Sequence, residues 1–180
     1  DNMWQPNSII NTVIIVVVAL SLSSCDYYAQ VPDCRDFFNN NPVNSFSTDN
    51  RGLAQDKKTK LLWYRCAAGQ SYKNSECKGE ALHLNWEEAM AFADEFSEKS
   101  GKKWRLPSKK ELKSIMLDQC INPAVDVRVF KDLEVNNFWT SSDSLNSDLF
   151  RCSVYTFKGD LFCRQPKTTR LPFLLVGGAK

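Results

Sequence analysis

The chain has 180 residues, of which 43% are hydrophobic and 24% charged, a globular composition with room for one full core. Lys+Arg total 23 and Asp+Glu 21, a net charge of +2, too even for the basic footprint that nucleic-acid binding requires. A single histidine, His83, speaks against a His-based metal site or a Ser-His-Asp triad.

The first segment, residues 1–25, is a leader. Ile9 to Leu22 is almost continuously apolar and closes on Ser23-Ser24-Cys25. A run of this length suits the core of a signal peptide better than a transmembrane span. Leu22-Ser23-Ser24-Cys25 resembles the bacterial lipobox, which implies that Cys25 is lipidated and anchors the chain in a membrane. The run carries no Lys or Arg ahead of it, so an uncleaved membrane anchor is the other reading. Residues 26–45 are rich in Asn, Asp, Ser and Pro and predict a linker and loop, pinned near Cys34.

Seven cysteines are present. Setting Cys25 aside leaves Cys34, Cys66, Cys77, Cys120, Cys152 and Cys163, an even set that implies a disulfide framework in an exported domain. There is no Cys-x-x-Cys pair, which speaks against a zinc ribbon or a thioredoxin-like site.

Patterned sequence begins at Leu53-Ala54-Gln55-Asp56. The polar turn Lys57-Lys58-Thr59-Lys60 joins it to the strand Leu61 to Cys66, a β-hairpin. Cys66 and Cys77 bracket a polar loop that their disulfide would close. Asn85 caps a helix with Glu88 completing a capping box. Trp86, Ala89, Met90, Ala93 and Phe96 then fall on one stripe, and Gly101 is free to end the helix in the left-handed conformation. In Trp104-Arg105-Leu106 the apolar residues alternate with an arginine expected to serve as an ion-pair partner. Pro107 stops the strand, and Ser108 with Glu111 forms a second capping box.

Lys102, Lys103, Lys109, Lys110 and Lys113 make the densest basic cluster. They form either a solvated face or an anion-binding patch for sulfated or phosphorylated glycans, with the helix amides after Ser108 as added donors.

Further on, Asn137 to Ser142 reads as a strand. Leu149–Phe157 and Leu161–Arg164 flank a Lys158-Gly159 hairpin turn. That turn would pair Phe157 with Asp160 and put Cys163 opposite Val154, one diagonal step from Cys152. A bulge would bring the two cysteines into line. Cys34 and Cys120 are the remaining pair. Arg170 to Val176 is a last strand, with Pro172 suggesting an edge or a bulge.

Several blocks together are similar to the Lcl C-terminal domain family. They are Leu61-Leu62-Trp63-Tyr64-Arg65-Cys66, Gly69-Gln70, Cys77-x-Gly79, Trp86-Glu87-Glu88-Ala89, Trp104-Arg105-Leu106-Pro107 with Glu111-Leu112, Cys120-x-Asn122-Pro123-Ala124, and Phe138-Trp139-Thr140-Ser141-Ser142. The likeness covers residues 46–180. Lys60 stands where the family usually has Gly, and Leu174-Leu175-Val176-Gly177 where it ends on an Arg-bearing strand.

The resemblance implies an α+β, C-type-lectin-like fold, two helices beside twisted antiparallel sheets, disulfide-stapled. The family's namesake is a collagen-like bacterial adhesin that binds sulfated glycosaminoglycans. By analogy the chain is expected to be a non-enzymatic domain without cofactor or metal. It would face the periplasm or exterior of a bacterial cell envelope and bind a glycan or a protein partner, as a monomer or an oligomer. A structural subunit of a secretion or motility assembly is the alternative. Gln165-Pro166-Lys167 puts a lysine where a calcium-dependent sugar loop needs a carboxylate. A formylglycine-generating type of chemistry needs reactive cysteines, and disulfides account for all six after Cys25.

Overall fold

The computed structural model describes residues 31–145 and 147–177. The chain divides into two units, residues 1–31 and Pro32–Lys180. The apolar run and Cys25 lie outside the described residues. In chain order the second unit contains α1 (Cys34–Asn40), β1 (Phe46–Thr48), β2 (Leu53–Asp56), β3 (Leu62–Tyr64), β4 (Ser71–Lys73) and β5 (Glu76–Lys78). There follow α2 (Trp86–Ser100), β6 (Trp104–Arg105), α3 (Lys109–Ser114), β7 (Asn137–Asp143), β8 (Phe150–Tyr155), β9 (Asp160–Pro166) and β10 (Val176–Gly177). This is an α+β architecture with antiparallel sheets and three disulfides.

Both capping boxes form. Asn85 accepts the Glu88 amide while Glu88 accepts the Asn85 amide, and Ser108 and Glu111 do the same for α3. Gly101 closes α2 at φ 64°, a conformation that costs a residue with a Cβ about 1–2 kcal/mol. Residues 34–40 correct the linker reading: they form α1, capped by Asp33, and Cys34 and Phe38 are buried. Seven residues are too few for a helix that stands by propensity alone. A disulfide to Cys120 and packing of Leu117 and Val127 against the cluster of Cys34, Phe38 and Cys120 hold this one.

The main sheet runs β1-β2-β3-β10-β6. The first hairpin is as expected, with Ala54 opposite Trp63 and the turn held by Asp56 accepting the Lys58 and Thr59 amides. The last strand is not at an edge. Val176 lies between Trp63 of β3 and Arg105 of β6, and every residue from Leu171 to Gly177 is buried. Pro172 precedes the strand, where it needs no ladder donor, and its carbonyl accepts the Trp139 amide at 3.0 Å.

Two hydrophobic clusters flank this segment. Leu174 and Val176 enter the one built on Trp63, Phe130, Phe138, Leu112 and Val154. Phe173 and Leu175 enter the one built on Trp104, Leu106, Trp139, Ala89 and Ala93. The period-two alternation of an extended chain therefore supplies both cores at once. Each large side chain fully buried this way contributes about 1.5–3 kcal/mol.

The third sheet, β7-β8-β9, carries the disulfide Cys152–Cys163. Its hairpin turn has four residues, Thr156 to Gly159, and closes at Tyr155 opposite Asp160. That turn, two residues longer than Lys158-Gly159 alone implies, sets Cys152 across from Cys163. A shift follows by Arg151–Gln165, a bulge that opposes Cys163 and Arg164 to Cys152. The loop closed by Cys66–Cys77 holds its own hairpin, β4-β5, with Asn74 and Ser75 at φ 52° and 63°. Positive φ at both central residues is the twist that a two-residue hairpin favours.

Candidate functional site

Around Trp104-Arg105-Leu106-Pro107 the alternation resolves as expected: Trp104 and Leu106 are buried and Arg105 points outward. The Arg105 guanidinium grips Glu111 with both forks, Nη1 to Oε2 at 2.8 Å and Nη2 to Oε1 at 2.7 Å. Glu111 Oε2 also accepts the Ser108 amide at 2.7 Å. The Arg105 hydrogen bond above all, with the Ser108 amide beside it, lowers the Glu111 carboxyl from 4.5 to about 2. These residues join β6 to α3.

The start of α3 is therefore not an open anion site. The Glu111 amide donates to Ser108 Oγ, the Lys109 amide donates to Ser142 Oγ at 2.9 Å, and a carboxylate of the chain itself sits at the cap. The expected contribution of these amides to ligand binding is withdrawn on that geometry.

The lysines are a separate matter. Lys102, Lys103, Lys110 and Lys113 are exposed and Lys109 partly so. None of the five enters an ion pair among the described residues. Lys113 Nζ donates to the Gly159 carbonyl at 2.5 Å. Lys109 and Lys113 are one turn apart on α3 and share a face.

Three concavities lie elsewhere. One of about 270 Å³ opens between α1 and the 123–133 segment, with Phe38, Pro123 and Leu133 as floor and Arg35, Arg128 and Lys131 on the rim. A wider groove of about 790 Å³ includes Phe37, Phe46, Ile115 and Leu117. The third, about 490 Å³, gathers Glu80, Asp132 and Glu134 near His83, whose Nε2 is 2.9 Å from Glu134 Oε1. No group of His, Cys, Asp and Glu among the described residues could hold a metal ion. Sequence reasoning missed the cavity beside α1 because it missed α1. The available signal was Asp33 as an N-cap, with Phe37 and Phe38 a turn after Cys34.

Buried and stacked cations organise more of the surface. Arg65 is 6% exposed, with Nε donating to the Val129 carbonyl, Nη2 to the Arg128 carbonyl and Nη1 to the Tyr72 hydroxyl. Arg151 lies 4.4 Å from the centroid of the Trp86 ring. Lys167, of the Gln165-Pro166-Lys167 segment, is 5.4 Å from that ring and 3.2 Å from Glu87. That lysine ties β9 to the start of α2.

The family model described as the Lcl C-terminal domain matches residues 52–176. No curated protein and no solved structure matches the chain.

Proposed function

We infer that this chain, which belongs to the Lcl C-terminal domain family, is a non-enzymatic recognition domain of the bacterial cell envelope. Cys25 as a lipidated residue, or the apolar run as an uncleaved anchor, would hold it at a membrane. The domain would face the periplasm or the exterior, and its fold would be C-type-lectin-like, in keeping with two capped helices either side of β6 and antiparallel sheets around them.

The observation that carries the reading is the set of five lysines, Lys102, Lys103, Lys109, Lys110 and Lys113, that have no carboxylate partner among the described residues. An adhesin-like surface for a sulfated glycan needs cations free of internal neutralisation. Titration of heparin at rising salt tests it. Binding should weaken steeply with ionic strength, and changing Lys102, Lys103 and Lys110 together to Ser should weaken it about tenfold, roughly the effect of losing 1.4 kcal/mol. Salt-insensitive binding, or none, would sink it.

A second reading, a structural subunit of an envelope secretion or motility assembly, draws support from apolar side chains left exposed beside or on the third sheet. Leu145 is 92% exposed, Leu149 72% and Phe162 48%. Such a patch suits a protein partner. Stoichiometric co-purification of a membrane complex, lost on changing Leu149 and Phe162 to Ser, would favour this reading over the first.

A further inference from the structure

The cavity beside α1 has walls, a floor and uncommitted charge. Its helix wall presents Arg35, Phe38 and Asn39, at i, i+3 and i+4 on one face. Its opposite wall is Pro123, Val127 and Arg128, followed by Lys131, Asp132 and Leu133. The two walls are fixed to each other by the Cys34–Cys120 disulfide, by Cys34 N donating to the Ile121 carbonyl at 2.8 Å, and by Asn122 Nδ2 donating to Asp33 Oδ2 at 2.9 Å. The cavity is thus formed before any ligand arrives, which spares a ligand the cost of ordering it.

Its cations differ in what they already do. Arg128 is anchored: Nε and Nη2 hold the two oxygens of Asp126 at 3.0 and 2.8 Å, and the guanidinium lies 4.2 Å from the Phe38 ring centroid. Its Nη1 has no acceptor among the described residues. The Arg35 and Lys131 side chains make no ion pair or hydrogen bond among the described residues. Against them stands one carboxylate on the rim, Asp132. The floor is apolar, with Phe38 and Leu133 at 8% and 5% exposure.

The geometry points to a binding pocket for a small apolar group that bears a carboxylate. The apolar body fills the floor of Phe38, Pro123, Val127 and Leu133, and the carboxylate meets Arg35, Lys131 and Nη1 of Arg128. At about 270 Å³ the pocket is just below the roughly 300–1,000 Å³ range of ordinary ligand pockets, so it takes one such group rather than an extended ligand. The same chemistry is offered by a free short-chain carboxylic acid and by the terminal carboxylate of a polypeptide ending in an apolar residue. The site is separate from the lysines around β6 and does not depend on the glycan reading.

Calorimetric titration of the full, disulfide-bonded chain with hexanoate, and with a Gly-Gly-Leu peptide in free-acid and amidated forms, tests the pocket. Hexanol serves as the uncharged control. Hexanoate or the free-acid peptide should bind saturably, and hexanol or the amide at least about tenfold more weakly, the loss of roughly one charged hydrogen bond. Binding of hexanoate alone identifies a small-molecule site, and binding of the peptide alone a site for a partner's terminus. Arg35→Ala with Lys131→Ala should weaken binding about tenfold, and Asp132→Asn should strengthen it by relieving repulsion. Changing Lys102, Lys103 and Lys110 should leave it unaltered. Equal affinity for the charged and uncharged ligands, no saturable binding of any probe at millimolar concentration, or weaker binding to Asp132→Asn would overturn the proposal.

Discussion

Arg65 and Glu111 show how much of this domain depends on single polar contacts. Arg65 is a buried cation compensated by two backbone carbonyls and a tyrosine hydroxyl rather than by a carboxylate. Arg65→Met keeps the volume and leaves the Arg128 and Val129 carbonyls without their donor. It should cost about 2–4 kcal/mol in urea unfolding, in line with unsatisfied buried groups. Gly52 supports the same arrangement from the far side of Tyr72. At φ 86°, an added Cβ would lie 2.5 Å from Tyr72 Cβ, so Gly52→Ala should destabilise by about 2 kcal/mol or more. Glu111 adds a pH dependence. Its folded pKa, about 2, is below its ordinary 4.5, so its contribution is complete above about pH 4.5 and fades as pH falls toward 2. Glu111→Gln should therefore lose about 1–2 kcal/mol near neutral pH, the lower end reflecting the half-exposed Arg105. The gap from wild type should close in unfolding curves taken near pH 2.

At the scale of elements, the local signals and the β2-β3 hairpin were legible and the long-range strand pairings were not. Asn85 with Glu88 and Ser108 with Glu111 specify helix starts within four residues, so both could be read directly. The residues of β10 could be read as extended chain, but its partners lie more than seventy residues away, and no local pattern says which strands will flank it. The Lys158-Gly159 dipeptide suggested a two-residue turn. Packing of Gly159 against Met116 and of Thr156 into the interior accompanies a four-residue one instead. The basic stretch at residues 102–113 was conspicuous because its charges are adjacent in sequence. Arg35, Arg128 and Lys131 were not, because only α1 brings them together.

The disulfides should rank by the loop each closes. Cys34–Cys120 spans 86 residues and the other two span 11 each. Chain entropy gives about 4.6 kcal/mol for the first and about 2.8 for each of the others. Paired Cys→Ser changes measured by thermal unfolding should keep that order. Loss of Cys34–Cys120 should also raise hydrogen exchange in α1 before the sheets respond.

For the molecule as a whole, the deciding feature is that the last described residues close both cores. Deleting residues 173–180 removes Phe173, Leu174, Leu175 and Val176 and takes away β10, the strand that lies between β3 and β6. Circular dichroism of that truncated chain should show no cooperative unfolding.

A chain built this way makes its fold conditional on one short segment. Its capping boxes and hairpins can form as soon as they are made, but its two cores have nothing between them until residues 173–177 arrive. A chain interrupted before Phe173 is left with exposed apolar faces rather than a slightly shorter domain. Possession of residues 173–177 and possession of the fold become one property.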